Sequence, residues 1–346
     1  MGGKMPTVTL STLLTDATTR LTAAGIPATE ARSEARILVQ HAFGLTREQL
    51  LLRSEVELDA ALLEPFLLRR ANREPLTYIL GERGFYGLSF HVTPAVLIPR
   101  PETEHLVEVA LAFLFTSLGS LGLATPSGFA KEVSYSDETS GASYPLRSEE
   151  RAISRTQRVP RSRAVERGEV NKSGGERQVL DIGTGSGCIA VTLAKLLPEA
   201  QVWATDISEA ALEVARENAT RHGVHVEFHL GDLLAPLPLD LCFNVIVSNP
   251  PYIAPSEAST LEPEVRDFEP HTALFDNTLD GEGLSFYRRL ADEAPARLVP
   301  GGLLAVEVGQ GQDEAVARLW RDAGLIEVSI TPDLAGIGRV VSGNKP

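Results

Sequence analysis

The sequence has little cysteine, a shortage of positive charge and no long apolar run. Two cysteines, Cys188 and Cys242, among 346 residues give no basis for a disulfide framework or a zinc cluster, and they fit a reducing compartment. The longest apolar stretch, 106–115, is interrupted by Glu108 and is too short to cross a bilayer. Thirty-two lysines and arginines face 46 aspartates and glutamates, a net charge of −14 that disfavours a nucleic-acid substrate. We therefore expect a cytoplasmic enzyme with neither a membrane anchor nor a direct nucleic-acid substrate.

A small domain and a linker to a second domain are predicted in the first third of the chain. Residues 1–80 carry leucines at helical spacing, which predicts a small helical domain with helices that include 29–42 and 58–72. Residues 81–101 are rich in aromatic and β-branched side chains and are broken by Gly87. This pattern predicts a β-hairpin that links the helical domain to the rest of the chain.

Residues 102–346 predict an α/β domain that is interrupted at 116–177. The interruption has no apolar period, is rich in Ser, Gly, Thr, Arg and Glu, and is locally basic, so we expect a disordered insertion. A solvated linker is preferred over an RNA or ribosome contact. From residue 178 onward strands and helices alternate, which is typical of a doubly wound, mostly parallel sheet. The expected strands are 179–182, 201–205, 226–230, 245–247, 303–308 and 326–330, and the expected helices are 189–197, 209–222, 285–298 and 313–323.

A glycine-rich turn follows the first strand of this domain, where ligands of α/β sheets bind. Glycines permit a tight turn and a close approach to a ligand, and the helix that follows presents free N–H groups. The dinucleotide fingerprint would need a glycine where Cys188 stands, so NAD is disfavoured. The candidate cofactor-binding residues of the turn are Gly183, Thr184, Gly185, Ser186 and Gly187.

Two further strand ends carry acidic residues. Asp206 comes 19 residues after Gly187, where a carboxylate can accept both hydroxyls of a ribose. Asp232 and Leu233 close the third strand, where an acid and an apolar neighbour could hold an adenine amine and its face. Together the three strand ends predict a binding site for a nucleoside with an amino-acid tail. The sequence contains no phosphate-binding loop motif, which disfavours an NTPase.

The most specific motif is Asn249-Pro250-Pro251-Tyr252, directly after the strand 245–247. An amide nitrogen is a poor nucleophile, so it must be held with its lone pair directed at the methyl donor. The Asn249 side-chain oxygen and the Pro250 carbonyl can each accept one N–H of such a nitrogen. Two prolines fix the backbone, and Tyr252 offers a face for the planar group. Methylation of an amide or exocyclic amine nitrogen from S-adenosylmethionine is therefore predicted.

The turn 183–187 and the motif 249–252 resemble the class I methyltransferases that modify amide or amino nitrogens. Residues 84–90 and 97–104, which read GFYGLSF and LIPRPETE, narrow the resemblance to the PrmC (HemK) family. That family methylates the glutamine of the Gly-Gly-Gln loop in class I peptide chain release factors. The resemblance covers nearly the whole chain apart from 116–177, where the family has a short connection.

The resemblance implies a role for several residues. Gly183 to Gly187, Asp206, Leu233 and Asn249 would contact S-adenosylmethionine, while Asn249 to Tyr252 would hold the substrate glutamine. Arg100 and Glu102 would shape the substrate pocket, or would instead form a salt-bridged linker between the domains. The helical domain would grip the release factor.

Other interpretations remain open at this point. A glutamine methyltransferase of a ribosomal protein shares the motif 249–252, and a DNA adenine methyltransferase or a non-catalytic nucleoside-binding module are weaker alternatives. The loop 255–276 is expected to form a lid or a substrate rim, with a plain surface loop as the alternative. His222, His225 and His229 lack the cysteines or carboxylates of a metal site, so no metal is expected.

Overall fold

The protein is described by a computed structural model that covers residues 7–52, 54–119, 177–276 and 281–346. Among the described residues, the first part of the chain contains five α-helices, one turn of 3-10 helix (Ala60–Leu62) and a short antiparallel strand pair, followed by a β-hairpin. In chain order these elements are β1 (Thr7–Thr9), α1 (Leu10–Ala23), α2 (Ala28–Phe43), α3 (Arg47–Leu52), β2 (Glu57–Asp59), α4 (Glu64–Ala71), α5 (Leu76–Leu80), β3 (Glu82–Phe85) and β4 (Leu88–His91).

Helix α1 shows why this segment is helical. Thr9 caps its first turn by accepting a hydrogen bond from the Thr12 N–H, and apolar residues at helical spacing face a common core. The buried side chains of α1 are Leu10, Leu13, Ala17 and Leu21. They pack in one cluster with residues of α2 such as Leu38.

Two short strands depart from the prediction of a wholly helical segment 1–80. Strand β1 pairs with β2 in antiparallel register, with Val8 opposite Leu58. The predicted helix 58–72 is therefore wrong at its start, and the helix α4 begins only at Glu64. A strand of three residues is too short to show an alternation of apolar and polar side chains. The local sequence pattern therefore could not distinguish β1 and β2 from the neighbouring helices.

The predicted hairpin is present over a shorter stretch than expected. Strand β3 pairs with β4, and the turn between them consists of Tyr86 and Gly87, both with positive φ. This is the conformation of a two-residue hairpin turn that matches the twist of its strands. The Tyr86 N–H donates to the Glu104 carboxylate at 2.8 Å, which fixes the hairpin to the helix that starts at that residue.

The remaining elements build a three-layer α/β structure. They are α6 (Glu104–Gly119), β5 (Arg177–Ile182), α7 (Cys188–Leu196), β6 (Ala200–Asp206), α8 (Glu209–His222), β7 (Glu227–Leu230), β8 (Phe243–Ser248), α9 (Pro263–Phe268), α10 (His271–Leu274), α11 (Ser285–Glu293), β9 (Leu298–Glu307), α12 (Asp313–Asp322), β10 (Ile326–Pro332) and β11 (Gly338–Asn344). The predicted insertion 116–177 overlaps α6 at one end and β5 at the other. Its residues 120–176 lie outside the described residues.

In the part of the chain that the structure describes, seven strands form one sheet in the order β10-β11-β9-β8-β5-β6-β7. The five strands from β9 to β7 are parallel, as predicted, while β11 and β10 are antiparallel to their neighbours. Strand β11 was not predicted, because it follows β10 through a turn without an intervening helix and is rich in Gly, Ser and Asn. The predicted helix 285–298 ends earlier, at Glu293, before Pro295.

The chain reverses its direction of travel across the sheet between β5 and β8. Strands β6 and β7 extend the sheet on one side of β5, and β8 then returns to its other side. In the parallel register Ile182 lies opposite Thr205 of β6 and Ser248 of β8. Three strands therefore end side by side at the switch point, which is where α/β folds bind ligands.

Both faces of the sheet are covered by apolar layers. Val179 and Val245 point into a core with α6 and α7, whereas Leu180 and Ile246 point into a second core with α11 and α12. Within the described residues no helix is long and apolar enough to cross a membrane. The same residues contain no group of three His, Cys, Asp or Glu side chains that could hold a metal ion.

Candidate active site

The glycine-rich turn is held by hydrogen bonds to the end of the neighbouring strand β6. The N–H groups of Gly183 and Thr184 both donate to the Thr205 carbonyl, at 2.8 and 3.0 Å, and the Gly185 N–H donates to the Asp206 carboxylate at 2.8 Å. The turn is therefore fixed largely by contacts that its own backbone makes. It lies at the carboxyl edge of β5, as predicted.

Gly187 has a packing role that the sequence did not indicate. It has φ of +79° and precedes helix α7. A Cβ atom at this position would lie 3.1 Å from the Ala215 Cβ and 3.2 Å from the Ala215 Cα of helix α8. Glycine here allows the turn to pack closely against α8, in addition to adopting a positive φ.

Asp206 is half-buried, and its carboxylate accepts a hydrogen bond that helps to hold the glycine turn. One of its carboxylate oxygens accepts the Gly185 N–H, and the other accepts the Ser208 N–H at 2.9 Å. Burial raises the pKa of Asp206, and hydrogen bonds from backbone N–H groups counteract this rise. Because each carboxylate oxygen has more than one lone pair, both oxygens retain capacity to accept ribose hydroxyls.

Asp181 is a buried carboxyl beneath the turn that sequence reasoning did not assign to the site. One oxygen accepts hydrogen bonds from the Thr184 hydroxyl at 2.7 Å and from the Ala190 N–H at 3.2 Å. The other oxygen has no partner among the described residues. Burial raises the pKa of Asp181 to about 7. An acidic residue in an otherwise apolar strand, directly before a glycine turn, was the available signal.

Asp232 and Leu233 are held in different surroundings. The Asp232 carboxylate forms an ion pair with Arg289 at 2.8 Å and is about half exposed. The Leu233 side chain is buried in the core beside α11, and its backbone has φ of +47°. A positive φ in a branched residue is uncommon and marks a backbone that its surroundings hold in place.

The motif 249–252 follows β8 and lies beside the glycine turn. The two strand ends are joined by the Ser248 hydroxyl, which donates to the Ile182 carbonyl at 2.8 Å. The Asn249 Nδ2 donates to the Thr103 hydroxyl at 3.1 Å. Among the described residues no donor contacts the Asn249 Oδ1, so this oxygen is available to a ligand.

The backbone of Tyr252 is supported by Gln312, which sequence reasoning missed. The Gln312 Nε2 donates to the Tyr252 carbonyl at 3.1 Å, and the Gln312 Oε1 accepts the Gly309 N–H at 3.0 Å. A Cβ at Gly283 would overlap the Tyr252 carbonyl oxygen, so only glycine fits there. Burial raises the pKa of Tyr252 to about 12, and the negative charge of Glu307 adds to this rise, which keeps the phenol neutral near pH 7.

Arg100 and Glu102 both act electrostatically on Tyr252, Arg100 lowering its pKa and Glu102 raising it. Arg100 forms an ion pair with the buried Glu269 at 2.6 Å, and Glu269 also accepts the Ile98 N–H at 3.2 Å. This is the linker contact that the sequence left as an alternative for Arg100. Glu102 is half-buried close to the motif, since its charge adds to the effect of burial in raising the pKa of Tyr252.

The segment after the motif contacts the N-terminal helices. Glu264 in α9 accepts hydrogen bonds from Arg70 at 2.9 Å and from Arg73 at 2.6 Å. The Ile253 N–H donates to the Leu274 carbonyl at 3.1 Å. The loop 255–276 therefore bridges from the motif 249–252 to the helical segment, and whether it acts as a lid stays a prediction.

The site residues fit S-adenosylmethionine. A partly unpartnered buried carboxylate, Asp181, and the oxygens of Asp206 are acceptors for ammonium and hydroxyl groups. A Cβ added at Gly183 or Gly185 would meet no atom within 4 Å, so the turn faces open space. These donors and acceptors suit a nucleoside with an amino-acid tail better than a pyrophosphate.

Comparison with known proteins identifies relatives of the chain. A family model described as "Methyltransferase small domain" matches residues 169–262, and one described as "PrmC N-terminal domain" matches residues 12–81. The chain is 40% identical over 332 residues to the release factor glutamine methyltransferase of Cereibacter sphaeroides, covering 94% of this chain and 95% of the relative. It is 36% identical over 343 residues to that of Koribacter versatilis, covering 98% and 99%.

A solved structure is also similar. The protein-(glutamine-N5) methyltransferase (release factor-specific) of Alicyclobacillus acidocaldarius is 28% identical, with 74% of this chain and 99% of that chain covered and a TM-score of 0.35. The sequence relatives cover nearly the full length of the chain at well above 30% identity. The chain therefore belongs to the family of release factor glutamine methyltransferases.

Proposed function

We propose that this protein transfers the methyl group of S-adenosylmethionine to the side-chain amide nitrogen of the glutamine in the Gly-Gly-Gln loop of class I peptide chain release factors. The observation that carries the proposal is the position of Asn249. Its Nδ2 is engaged by Thr103 while its Oδ1 has no donor among the described residues, at a strand end next to the glycine turn. The family supports the choice of a release factor as substrate.

The cofactor would occupy the carboxyl edge of strands β5, β6 and β7. When bound, S-adenosylmethionine supplies an electrophilic methyl group. Asp206 would accept the ribose hydroxyls, and Asp232 with Leu233 would hold the adenine. The other residues that would contact S-adenosylmethionine are Gly183, Thr184, Gly185, Ser186, Gly187 and Asn249.

The chain's own contribution to chemistry is alignment. The Asn249 Oδ1 and the Pro250 carbonyl would each accept one N–H of the substrate amide, which favours a pyramidal nitrogen with a free lone pair. Pro250 and Pro251 fix the direction of that carbonyl before the substrate arrives. Tyr252, held by Gln312, would pack against the planar amide. The proton of the methylated nitrogen would leave to water.

Substrate selection would involve the rest of the molecule. Glu102 and Arg100 would border the glutamine pocket, and the helical segment 1–80 would bind the release factor outside the active site. The acidic surface implied by a net charge of −14 suits a basic, RNA-associated partner. We place the reaction in the cytoplasm, where translation ends and where the free thiols of Cys188 and Cys242 stay reduced.

The experiment is methyl transfer from labelled S-adenosylmethionine to four acceptors: a purified class I release factor, its Gln→Ala loop variant, ribosomal proteins and DNA. We expect label on the intact release factor and none on the variant. Label on a ribosomal protein or on adenine instead would support methylation of a nitrogen atom but would overturn the proposed substrate. Label on the Gln→Ala variant would overturn the proposed acceptor atom.

A further inference from the structure

Helix α8 buries one polar side chain, Asn218, which is 0% exposed. Its carboxamide forms three hydrogen bonds. The Oδ1 accepts the His91 N–H at 2.7 Å, and the Nδ2 donates to the His91 carbonyl and to the Ser186 carbonyl, each at 2.9 Å. One side chain therefore joins the end of the linker hairpin to the glycine turn.

The three partners of Asn218 require a carboxamide. A backbone N–H can only donate and a carbonyl can only accept, so residue 218 must supply one acceptor and two donors. Among side chains of this size only asparagine does so, because a carboxylate has no proton to donate and a hydroxyl has only one. The orientation of the Asn218 amide is fixed for the same reason. Rotation by half a turn would place donor against donor and acceptor against acceptor.

The peptide unit between Ser186 and Gly187 is held on both of its edges. Its carbonyl accepts from Asn218, and its N–H, which points the opposite way in the planar unit, donates to the Thr184 carbonyl at 2.8 Å. A glycine on one side of this unit would otherwise let it rotate. The bonds from strand β6 hold residues 183–185, whereas Asn218 holds the end of the turn.

The other side of the Asn218 contact leads to the N-terminal helices. Strand β4 ends at His91, whose Nδ1 donates to the Gly81 carbonyl at 3.0 Å. The ring nitrogen must be the donor here, because a carbonyl can only accept. The Val92 N–H donates to the same carbonyl at 3.1 Å, and Gly81 is the residue that ends helix α5. A continuous series of hydrogen bonds therefore runs from α5 through the hairpin and Asn218 to the glycine turn.

We propose that Asn218 is a positioning residue for the methyl donor, because it holds the end of the glycine turn in the conformation that binds the cofactor. The identity of the cofactor rests on the proposed function. The two bonds to His91 hold the amide in the orientation that presents its Nδ2 to Ser186, so the docked hairpin is part of the cofactor site. A turn that is already ordered loses little conformational freedom when a ligand binds, which increases affinity.

Calorimetric titration of the full-length protein with S-adenosylmethionine tests the proposal. Asn218→Asp has nearly the same shape and keeps an acceptor for the hairpin, but it loses both donors. We expect its affinity to fall about 10-fold, which corresponds to about 1.4 kcal/mol. Asn218→Ala removes the same bonds without placing a negative charge in the core, and it should show a similar loss. Wild-type affinity in both variants would overturn the positioning role.

The matched control is His222→Phe in the last turn of the same helix. The His222 Nε2 donates to the Ser89 carbonyl of β4 at 2.8 Å, so this variant removes a bond between α8 and the hairpin and leaves the bond to the glycine turn intact. Its affinity for S-adenosylmethionine should stay close to that of the wild type. A loss equal to that of the Asn218 variants would show that packing of the hairpin matters and that the bond to the turn does not, which would overturn the proposal.

Amide hydrogen exchange in the cofactor-free protein separates this inference from the proposed function. The Gly187 N–H, followed by NMR, should exchange about 10-fold faster in Asn218→Asp and Asn218→Ala than in the wild type. The Gly183 N–H, which β6 holds, should keep its rate, and both rates should be unchanged in His222→Phe. An unchanged Gly187 rate in the two Asn218 variants would overturn the inference. If the wild type failed to bind S-adenosylmethionine, the proposed function would be overturned, and the exchange rates would still decide whether Asn218 holds the turn.

Discussion

The glycine turn 183–187 and the motif 249–252 follow neighbouring strands, yet they are stabilised in different ways. The turn 183–187 is held by hydrogen bonds to Thr205 and Asp206 on the adjacent strand. The motif 249–252 is held by side chains from far along the chain, Thr103 on one side and Gln312 on the other. The turn is therefore held by the strand next to it, whereas the motif is held by side chains from more distant parts of the chain.

The largest expected effect comes from Asn249→Ala. Loss of the acceptor Oδ1 should lower kcat by on the order of 100- to 1,000-fold. The affinity for S-adenosylmethionine, measured by calorimetry, should change far less, since the turn 183–187 and Asp206 remain. A variant that lost cofactor affinity and kept kcat would show that Asn249 serves the cofactor side.

The next effect is on stability and concerns Glu307. The pKa of this buried carboxyl is raised from 4.5 to about 7, so its contribution to stability is present below about pH 4.5 and is lost as the pH rises through about 7. Glu307→Gln should therefore gain about 3 kcal/mol of unfolding free energy relative to the wild type between roughly pH 5 and pH 9. Denaturant unfolding at the two pH values measures the gain, and Asp181, present in both proteins, cancels. A constant difference between the two proteins would contradict the burial of a titrating carboxyl.

A smaller effect distinguishes two glycines of the cofactor turn. Gly187→Ala places a Cβ 3.1 Å from Ala215 at a positive φ, whereas Gly185→Ala has the positive φ without a neighbour within 4 Å. We expect Gly187→Ala to lower the free energy of unfolding by about 2 kcal/mol and Gly185→Ala by about 1 kcal/mol. Gly185→Ala should have the larger effect on affinity for S-adenosylmethionine, because its added methyl faces the open side of the turn. Equal behaviour in both assays would contradict this division of roles.

The smallest effect is expected for Gln312→Ala. Removing the side chain leaves the Tyr252 carbonyl and the Gly309 N–H without their present partner, which should loosen the motif and lower kcat about 10-fold. Gln312→Glu is the matched control, because it keeps the Gly309 bond and loses the bond to Tyr252. If Gln312→Glu retains wild-type kcat, the contact with Tyr252 has no part in catalysis.

The difference between the two regions also explains what could be predicted from the sequence. The glycine turn, Asp206 and the motif 249–252 are contiguous signals at strand ends, and the parallel strands place them together. Thr103, Glu307 and Gln312 carry no motif of their own, and their meaning depends on which residues of the fold they meet. Strand β11 could not be predicted for the same reason. It forms by pairing with β9, and its composition does not favour a strand.

The proposed reaction is methylation of an amide nitrogen held by Asn249 and Pro250. Tandem mass spectrometry of a class I release factor, incubated with the enzyme and S-adenosylmethionine, identifies the atom that is methylated. We predict a single methyl group on the side-chain nitrogen of the glutamine in the Gly-Gly-Gln loop, and its absence when the enzyme carries Asn249→Ala. A methyl group on another residue, or an equal yield with Asn249→Ala, would contradict the proposed reaction.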